Sequence, residues 1–244
     1  MGRKPVNRYA MMKSMYKFSE KRPILFEIIL IIIALIAAGV ISIMIGGGSD
    51  VSISISRIIV AMILFIVFFK CFRKNKFLNG FIIMMPALLF ALYKIPYHYV
   101  SGAGAANAVS MEIILIGLAP AVFEEIIFRG ILIYNLKKKY SDPVTIVLIS
   151  AIIFSLVHLT NLLGMDMMSV VLQVMFAFSV GAVLSAVYLK TENILSIIIA
   201  HAAIDIVSGI FPGGTTTPYY FIVIFAVLLI AESAYGFVLA RKMR

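Results

Sequence analysis

The chain has little charge and almost no cysteine. Charged residues make up 13% of its 244 residues and apolar residues 63%, whereas a soluble domain has about 25% charged residues. The single cysteine, Cys71, can form neither an intrachain disulfide nor a cysteine-based zinc site. A soluble domain of this length could not bury so much apolar surface, so the expected solvent is the lipid bilayer.

Long apolar runs without the alternation of barrel strands predict membrane-spanning helices. A helix needs about 20 apolar residues to cross a bilayer. The candidate spans are residues 24–45, 55–69, 77–100, 111–133, 144–163, 168–189, 194–211 and 219–240. The first run is longer than the core of a signal peptide and is expected to be retained. The sequence therefore predicts an all-α polytopic membrane protein with about eight transmembrane helices.

Basic residues fall almost entirely on one side of these spans. Eighteen lie before the first span or after even-numbered spans, and only Arg57 and Lys94 are assigned to the other side. Because basic loops stay in the cytoplasm, both termini are expected inside. This distribution also explains the net charge of +10, so no nucleic-acid partner is expected. One integral membrane domain is expected, with helices 1–3 in residues 1–110, helices 4–7 in 111–211 and helix 8 in 212–244.

The fourth span carries three charged residues, and charges inside spans are costly and usually functional. Glu125 and Arg129 are four residues apart, so they share a helix face and can pair. Glu124 lies about 100° around the helix from Glu125 and is expected to be the free carboxylate facing other helices. Glu27 and Glu232 lie near the ends of their helices and are expected to reach the membrane interface.

The fifth and seventh spans carry the other ionisable residues near the bilayer centre. His158 follows Phe154 by four residues, and His201 precedes Asp205 by four, so each pair lies on one helix face. From the rise per residue of a helix, these side chains and Glu124 can share one layer. The sequence therefore predicts one polar site formed by three helices.

Three motifs in these spans resemble those of the CPBP family, which comprises type II CAAX prenyl endopeptidases and bacteriocin-processing or immunity (Abi) proteins. They read EEIIFR at 124–129, FSLVH at 154–158 and HAAID at 201–205. The resemblance implies an eight-helix core around a polar cavity, with residues 111–211 as the catalytic part. It also implies that Glu124 and His158 activate a water and that His201 and Asp205 stabilise the oxyanion. Glu125, Arg129 and Phe154 are expected to support this site.

Asp205 departs from the prenyl-protease branch, which usually has Asn at this position. An ionised carboxylate cannot donate a hydrogen bond, so Asp205 suits metal ligation or orientation of His201 better. This places the chain with the bacterial branch, in a bacterial cytoplasmic membrane. His158, His201, Glu124 and Asp205 together suit zinc, but the HExxH spacing of soluble zinc proteases is absent. A zinc site and a site without any cofactor both stay open.

The leading functional hypothesis is an intramembrane endopeptidase that cleaves peptides or small membrane proteins by attack of an activated water. One alternative is a non-catalytic immunity or peptide-binding membrane protein. Another is a small proton-coupled transporter, in which the same residues relay protons. The expected partners are a peptide or membrane-protein substrate and the lipid bilayer, and the oligomeric state stays open.

Overall fold

A computed structural model describes residues 8–72, 80–214 and 217–244, and this part of the chain is helical and contains no β-strand. The α-helices are α1 (Arg8–Lys21), α2 (Pro23–Gly46), α3 (Asp50–Val67), α4 (Phe81–Met84), α5 (Leu89–Val100), α6 (Met111–Glu125), α7 (Ile133–Lys139), α8 (Pro143–Val157), α9 (Met167–Thr191), α10 (Ile194–Ile210) and α11 (Tyr219–Arg241). Short 3-10 turns occupy Phe69–Phe72, Met85–Leu88 and His158–Leu163. The predicted all-α fold is confirmed.

Six helical stretches in the described ranges are long and apolar enough to cross a membrane. They are Pro23–Gly46, Asp50–Val67, Phe81–Val100, Pro143–Leu163, Met167–Thr191 and Tyr219–Arg241. The predicted fourth span is not among them: its α-helix, α6, has 15 residues and ends at two glutamates. Helix α10 is also short, at 17 residues. The polytopic membrane fold is therefore confirmed, and the number of eight spans stays a prediction.

Helix α3 begins five residues earlier than the sequence predicted. The Ser49 hydroxyl caps the helix by accepting the backbone N–H of Ser52 at 3.3 Å. The hydroxyls of Ser52 and Ser54 donate to the carbonyls of Ser49 and Asp50, both at 2.8 Å. Because these side chains are satisfied by the backbone of their own helix, the polar stretch is helical. Arg57 consequently lies about two turns inside a spanning helix.

The helical path that begins with α6 continues past residue 133, the predicted end of the fourth span. A π-helical segment, Ile126–Leu132, follows α6 directly and leads into α7, so the helical path extends to Lys139. All seven residues of the π segment are buried, including Arg129. Such wider turns inside α-helices occur frequently at functional sites, and this one lies immediately after Glu124 and Glu125.

Helix α6 packs closely against α10, and a glycine makes this approach possible. A Cβ atom on Gly117 would lie 2.8 Å from the backbone nitrogen of Ile206. Small residues allow the backbones of membrane helices to approach. This pairing places the end of α6, with Glu124 and Glu125, beside the middle of α10, where His201 lies.

Ion pairs and hydrogen bonds connect the termini of neighbouring helices in two separate groups, one at each end of the bundle. At one end, ion pairs connect the basic segments: Lys138–Glu20, Lys137–Glu192 and Arg244–Asp142. At the other end, His98 Nδ1 lies 2.7 Å from the carbonyl oxygen of Pro212, and the Asn107 amide donates to the carbonyl of Gly209 at 2.9 Å. The predicted grouping of basic loops on one side is consistent with this arrangement, and the cytoplasmic assignment of that side stays a prediction. Arg3, Lys4, Arg73, Lys74, Lys76 and the predicted start of the third span at Phe77 lie outside the described residues.

Candidate active site

A cavity of about 360 Å³ lies between helices α2, α3, α6, α8, α9 and α10. The four predicted catalytic residues, Glu124, His158, His201 and Asp205, all line it. Much of the remaining wall is apolar, with Phe128 and Phe176 among its aromatic side chains. The structure thus brings together side chains that the sequence placed on three separate helices.

Glu125 and Arg129 form an ion pair that is completely enclosed. The Arg129 guanidinium donates to Glu125 Oε1 at 2.8 Å, and both side chains have 0% exposure. Arg129 also donates to the carbonyl of Gly181 at 3.4 Å and lies 4.2 Å from the centre of the Phe154 ring. The predicted pairing of Glu125 with Arg129 is therefore present, and Arg129 additionally connects α6 to α8 and α9.

His201 lies between three carboxylates. Its Nδ1 is 2.7 Å from Glu125 Oε1, and its Nε2 is 3.8 Å from Glu124 Oε2 and 3.6 Å from Asp205 Oδ2. An ionised carboxylate only accepts hydrogen bonds, so the hydrogen on Nδ1 belongs to the contact with Glu125. Glu125 therefore fixes the ring of His201 in addition to neutralising Arg129, a contact that the sequence did not predict.

His158 is oriented by the backbone of its own helix. Its Nδ1 lies 2.9 Å from the carbonyl oxygen of Phe154. Because a carbonyl oxygen accepts, Nδ1 carries the hydrogen, and in the neutral ring Nε2 is left with a free lone pair. The Phe154 ring packs edge-on against both imidazoles, with centroid distances of 5.1 Å to His158 and 6.0 Å to His201. Phe154 thus supports both histidines.

The two neighbouring glutamates have different surroundings. The Glu124 side chain is 20% exposed and lines the cavity, whereas Glu125 is 0% exposed and is held by Arg129 and His201. A water or a substrate in the cavity can therefore reach the carboxylate of Glu124. This is the spatial division that the helical spacing of the two residues predicted.

Sequence reasoning missed polar residues of the cavity wall. Arg57 lines the cavity, although the sequence assigned it to the outer side. Asn161 also lines it, and its amide donates at 2.8 Å to Oε1 of Gln173, the residue of the sixth span that the sequence predicts as an interhelical hydrogen-bond partner. Two signals could have placed Arg57: the predicted span 55–69 is too short to cross a bilayer, and Ser49 offers a cap before it.

A second cavity of about 460 Å³ adjoins the first. The two share part of their walls, including Gln173, Phe176 and Asp205. The second cavity is lined mainly by apolar and aromatic residues, and Lys94 is its cationic wall residue. The polar site therefore opens beside a volume suited to apolar side chains.

The described residues do not form a preformed metal site. No group of three His, Cys, Asp or Glu side chains within ranges 8–72, 80–214 and 217–244 is arranged to hold an ion. His201 Nδ1 is held by Glu125 and His158 Nδ1 by the Phe154 carbonyl, so each imidazole has one nitrogen left. The four predicted zinc ligands line one cavity without converging on a point.

The fold and the site together define a multi-pass membrane protein with a cavity of carboxylates and histidines between its helices. Residues 106–207 match the family model described as type II CAAX prenyl endopeptidase Rce1-like. The match includes all three motifs and confirms the resemblance on which the sequence assignment rests. It supports an intramembrane endopeptidase at the level of the family. Neither a curated protein nor a solved structure matches the chain.

Proposed function

We propose that this protein is an intramembrane endopeptidase in which Glu124 activates a water for attack on a peptide bond. The observation that carries this proposal is the contrast between two adjacent carboxylates. Glu125 is enclosed and engaged by Arg129 and His201, while Glu124 lines the cavity opposite His158 and Asp205. A carboxylate that reaches a cavity without a committed partner is suited to accept a proton from water.

The reaction proceeds in two steps. Glu124 takes a proton from water as the water oxygen bonds to the carbonyl carbon, and the π electrons of the C=O bond move to the carbonyl oxygen. The tetrahedral intermediate then collapses, the C–N bond breaks, and the leaving nitrogen receives the proton held by Glu124. The products are a new carboxyl terminus and a new amino terminus, and Glu124 returns to its ionised form.

The two histidines have separate roles in this proposal. The free Nε2 lone pair of His158 accepts a hydrogen bond from the water and holds it beside Glu124. His201, fixed through Nδ1 by Glu125, presents Nε2 between Glu124 and Asp205. The Asp205 carboxylate lies 3.6 Å from Nε2 and attracts that end of the ring when both ring nitrogens are protonated.

The expected substrates are apolar peptide segments or small membrane proteins, because the site lies within membrane helices beside an aromatic cavity. The family match adds prenylated C-terminal peptides as a class to be tested. The proposed location is the cytoplasmic membrane of a bacterial cell. Binding without hydrolysis, as in an immunity protein, is the competing outcome of the experiment.

The experiment uses purified protein in lipid nanodiscs and a library of quenched-fluorescent peptides. Half of the peptides carry a farnesylated C-terminal cysteine motif, and half are unmodified apolar sequences. We expect the wild type to cleave a subset and Glu124→Gln to cleave none, with unchanged thermal unfolding, because the neutral amide cannot take up the proton. Glu112→Gln is the matched control, since Glu112 is an exposed residue in the first turn of the same helix. Tight binding of a peptide without cleavage would contradict the proposal.

Metal removal provides a second test. Because no step requires an ion, treatment with a chelator should leave the cleavage rate unchanged, and elemental analysis of the active preparation should find no stoichiometric transition metal. A catalytic ion must be present in every working molecule. Loss of cleavage on chelation that zinc alone restores would contradict the metal-free mechanism while leaving the peptidase function intact.

A further inference from the structure

Arg57 is a cation inside a spanning helix that faces the active-site cavity. Helix α3 begins at Asp50, so Arg57 lies about 10 Å into the helix from the rise per residue. It lines the same cavity as Glu124 and Asp205. A charged side chain within a membrane segment is costly and generally marks a place where the charge is used.

The guanidinium of Arg57 is not committed to another side chain. Within the described chain it forms no ion pair and no hydrogen bond. Arg129 is the opposite case, because it is enclosed, paired with Glu125 and absent from the cavity wall. Only Arg57, of these two arginines, can therefore reach a substrate.

Three of the other nitrogen donors along the wall are engaged within the protein. They are His158 Nδ1 with the Phe154 carbonyl, His201 Nδ1 with Glu125, and the Asn161 amide with Gln173. The Lys94 ammonium lines the neighbouring cavity. Among the described wall residues, Arg57 thus offers a guanidinium with uncommitted N–H groups.

Hydrolysis requires a donor in this cavity. Attack on the peptide bond places a negative charge on the carbonyl oxygen, beside the carboxylates of Glu124 and Asp205. Asp205 cannot donate to this oxygen while it is ionised. An arginine keeps its charge and presents several N–H groups in a planar fork, so its donors match a developing oxyanion.

We propose that Arg57 is a catalytic residue that donates hydrogen bonds to the oxyanion formed on the scissile carbonyl oxygen. The proposal rests on the peptidase function proposed above. Arg57 lies on α3, outside the matched segment 106–207, so it adds a cationic donor to a cavity in which position 205 is an aspartate.

The first test compares Arg57→Ala and Arg57→Lys with the wild type, using the best peptide of the library. Removing an oxyanion donor lowers kcat by about 10²–10³-fold, and we expect Arg57→Ala to lie in that range with little change in KM, since the contact forms only in the transition state. Arg57→Lys keeps the charge without the planar fork, so its kcat should lie between those of Arg57→Ala and the wild type. Added guanidinium at millimolar concentration should restore part of the Arg57→Ala activity. Arg241→Ala, at the exposed end of α11, is the control and should retain full activity.

The second test measures binding without turnover. A peptide phosphinate of the same sequence carries a tetrahedral anionic centre that resembles the oxyanion. Arg57→Ala should weaken phosphinate binding by a factor similar to its loss in kcat/KM, and it should bind the cleavage-product peptide as the wild type does. Equal weakening for both ligands, or wild-type kcat in Arg57→Ala, would overturn the role of Arg57.

The outcomes also separate this proposal from the one on which it rests. Failure of the wild type to cleave any peptide would overturn the peptidase function. Cleavage by the wild type with an unaffected Arg57→Ala would overturn only the role of Arg57. If Arg57→Ala does not fold, Arg57→Lys carries the same comparison of phosphinate with product binding, and equal binding changes for both ligands would again count against the proposal.

Discussion

The central helix α9 and the flanking helices α2 and α11 use their surfaces in different ways, and α2 lines the cavity with its inner face only. In the most apolar stretch of α9, 61% of the residues are buried in protein, against 28% in α2 and 22% in α11. The outer face of α2 exposes Ile33, Ile36 and Ile43 at 59%, 62% and 69%. Since lipid is as apolar as these side chains, hydrophobicity does not distinguish the two regions. The two regions differ instead in the polar pairs that lie inside the bundle.

Buried carboxylates extend this comparison to single residues. Glu125 is enclosed and has both Arg129 and His201 as partners. Glu27 on α2 and Glu232 on α11 are equally buried, but none of their carboxylate oxygens has a hydrogen-bond partner in the described chain. The expectation that Glu27 and Glu232 reach the membrane interface is therefore wrong. Enclosed charge is balanced at the centre of the molecule, where it positions a cavity residue.

The largest effect on stability is expected from breaking the central ion pair. Glu125→Ala leaves Arg129 enclosed without its partner, and losing one member of a buried pair costs about 3–5 kcal/mol. Glu20→Ala is the matched control, because Glu20 pairs with Lys138 at 3.9 Å on the surface, where such pairs contribute about 0–1 kcal/mol. Unfolding of both variants in the same lipid or detergent measures the difference. Similar losses for the two variants would remove the distinction between centre and flank.

An intermediate effect is expected from added volume beside the site. A Cβ atom on Gly181 would lie 3.0 Å from Phe154 Cδ1 and 3.5 Å from the Arg129 guanidinium, whereas one on Gly39 would meet nothing within 4 Å. Overpacking a filled interior costs about 1–3 kcal/mol. Gly181→Ala should therefore be less stable than Gly39→Ala by about that amount, as measured by unfolding of the two variants. Equal stability would show that Phe154 can shift freely.

The smallest effect is expected at the surface pair of Asp142 and Arg244, whose atoms approach to 2.7 Å. Hydrogen bonds from Arg244 and then Thr145 hold the pKa of Asp142 well below its ordinary value. A lowered folded-state pKa gives stability above the unfolded-state pKa of about 3.9 and loses it as the pH falls below that value toward the folded-state pKa.

The test of this surface pair is the stability of the wild type relative to Asp142→Asn between pH 7 and pH 3. Asparagine can still cap α8, so the variant removes mainly the charge. The advantage of the wild type should be small, constant above about pH 5 and reduced by salt. An advantage that does not change down to pH 3 would contradict the assigned cause.

Local spacing predicted those parts of the site that lie on one helix. The interval of four residues gave the pairing of Glu125 with Arg129 and put His201 and Asp205 on one face, and the apolar runs gave the helices themselves. The contact of His201 with Glu125 joins residues 76 positions apart, and the sequence does not encode how far one helix slides along another. The sequence also did not predict the π segment or the position of Arg57. Both depend on whether the helix continues through polar residues: Glu124 and Glu125 before the π segment, and Ser52 and Ser54 before Arg57.

The role of Glu124 can be tested directly by cleavage in water enriched in ¹⁸O. If a water activated by Glu124 attacks the carbonyl carbon, each new carboxyl terminus made by the wild type should carry one ¹⁸O atom by mass spectrometry. Glu112→Gln should give the same products at the same rate, and Glu124→Gln should give none while remaining folded. Cleavage products that retain only ¹⁶O, or full labelling by Glu124→Gln, would contradict the proposed reaction.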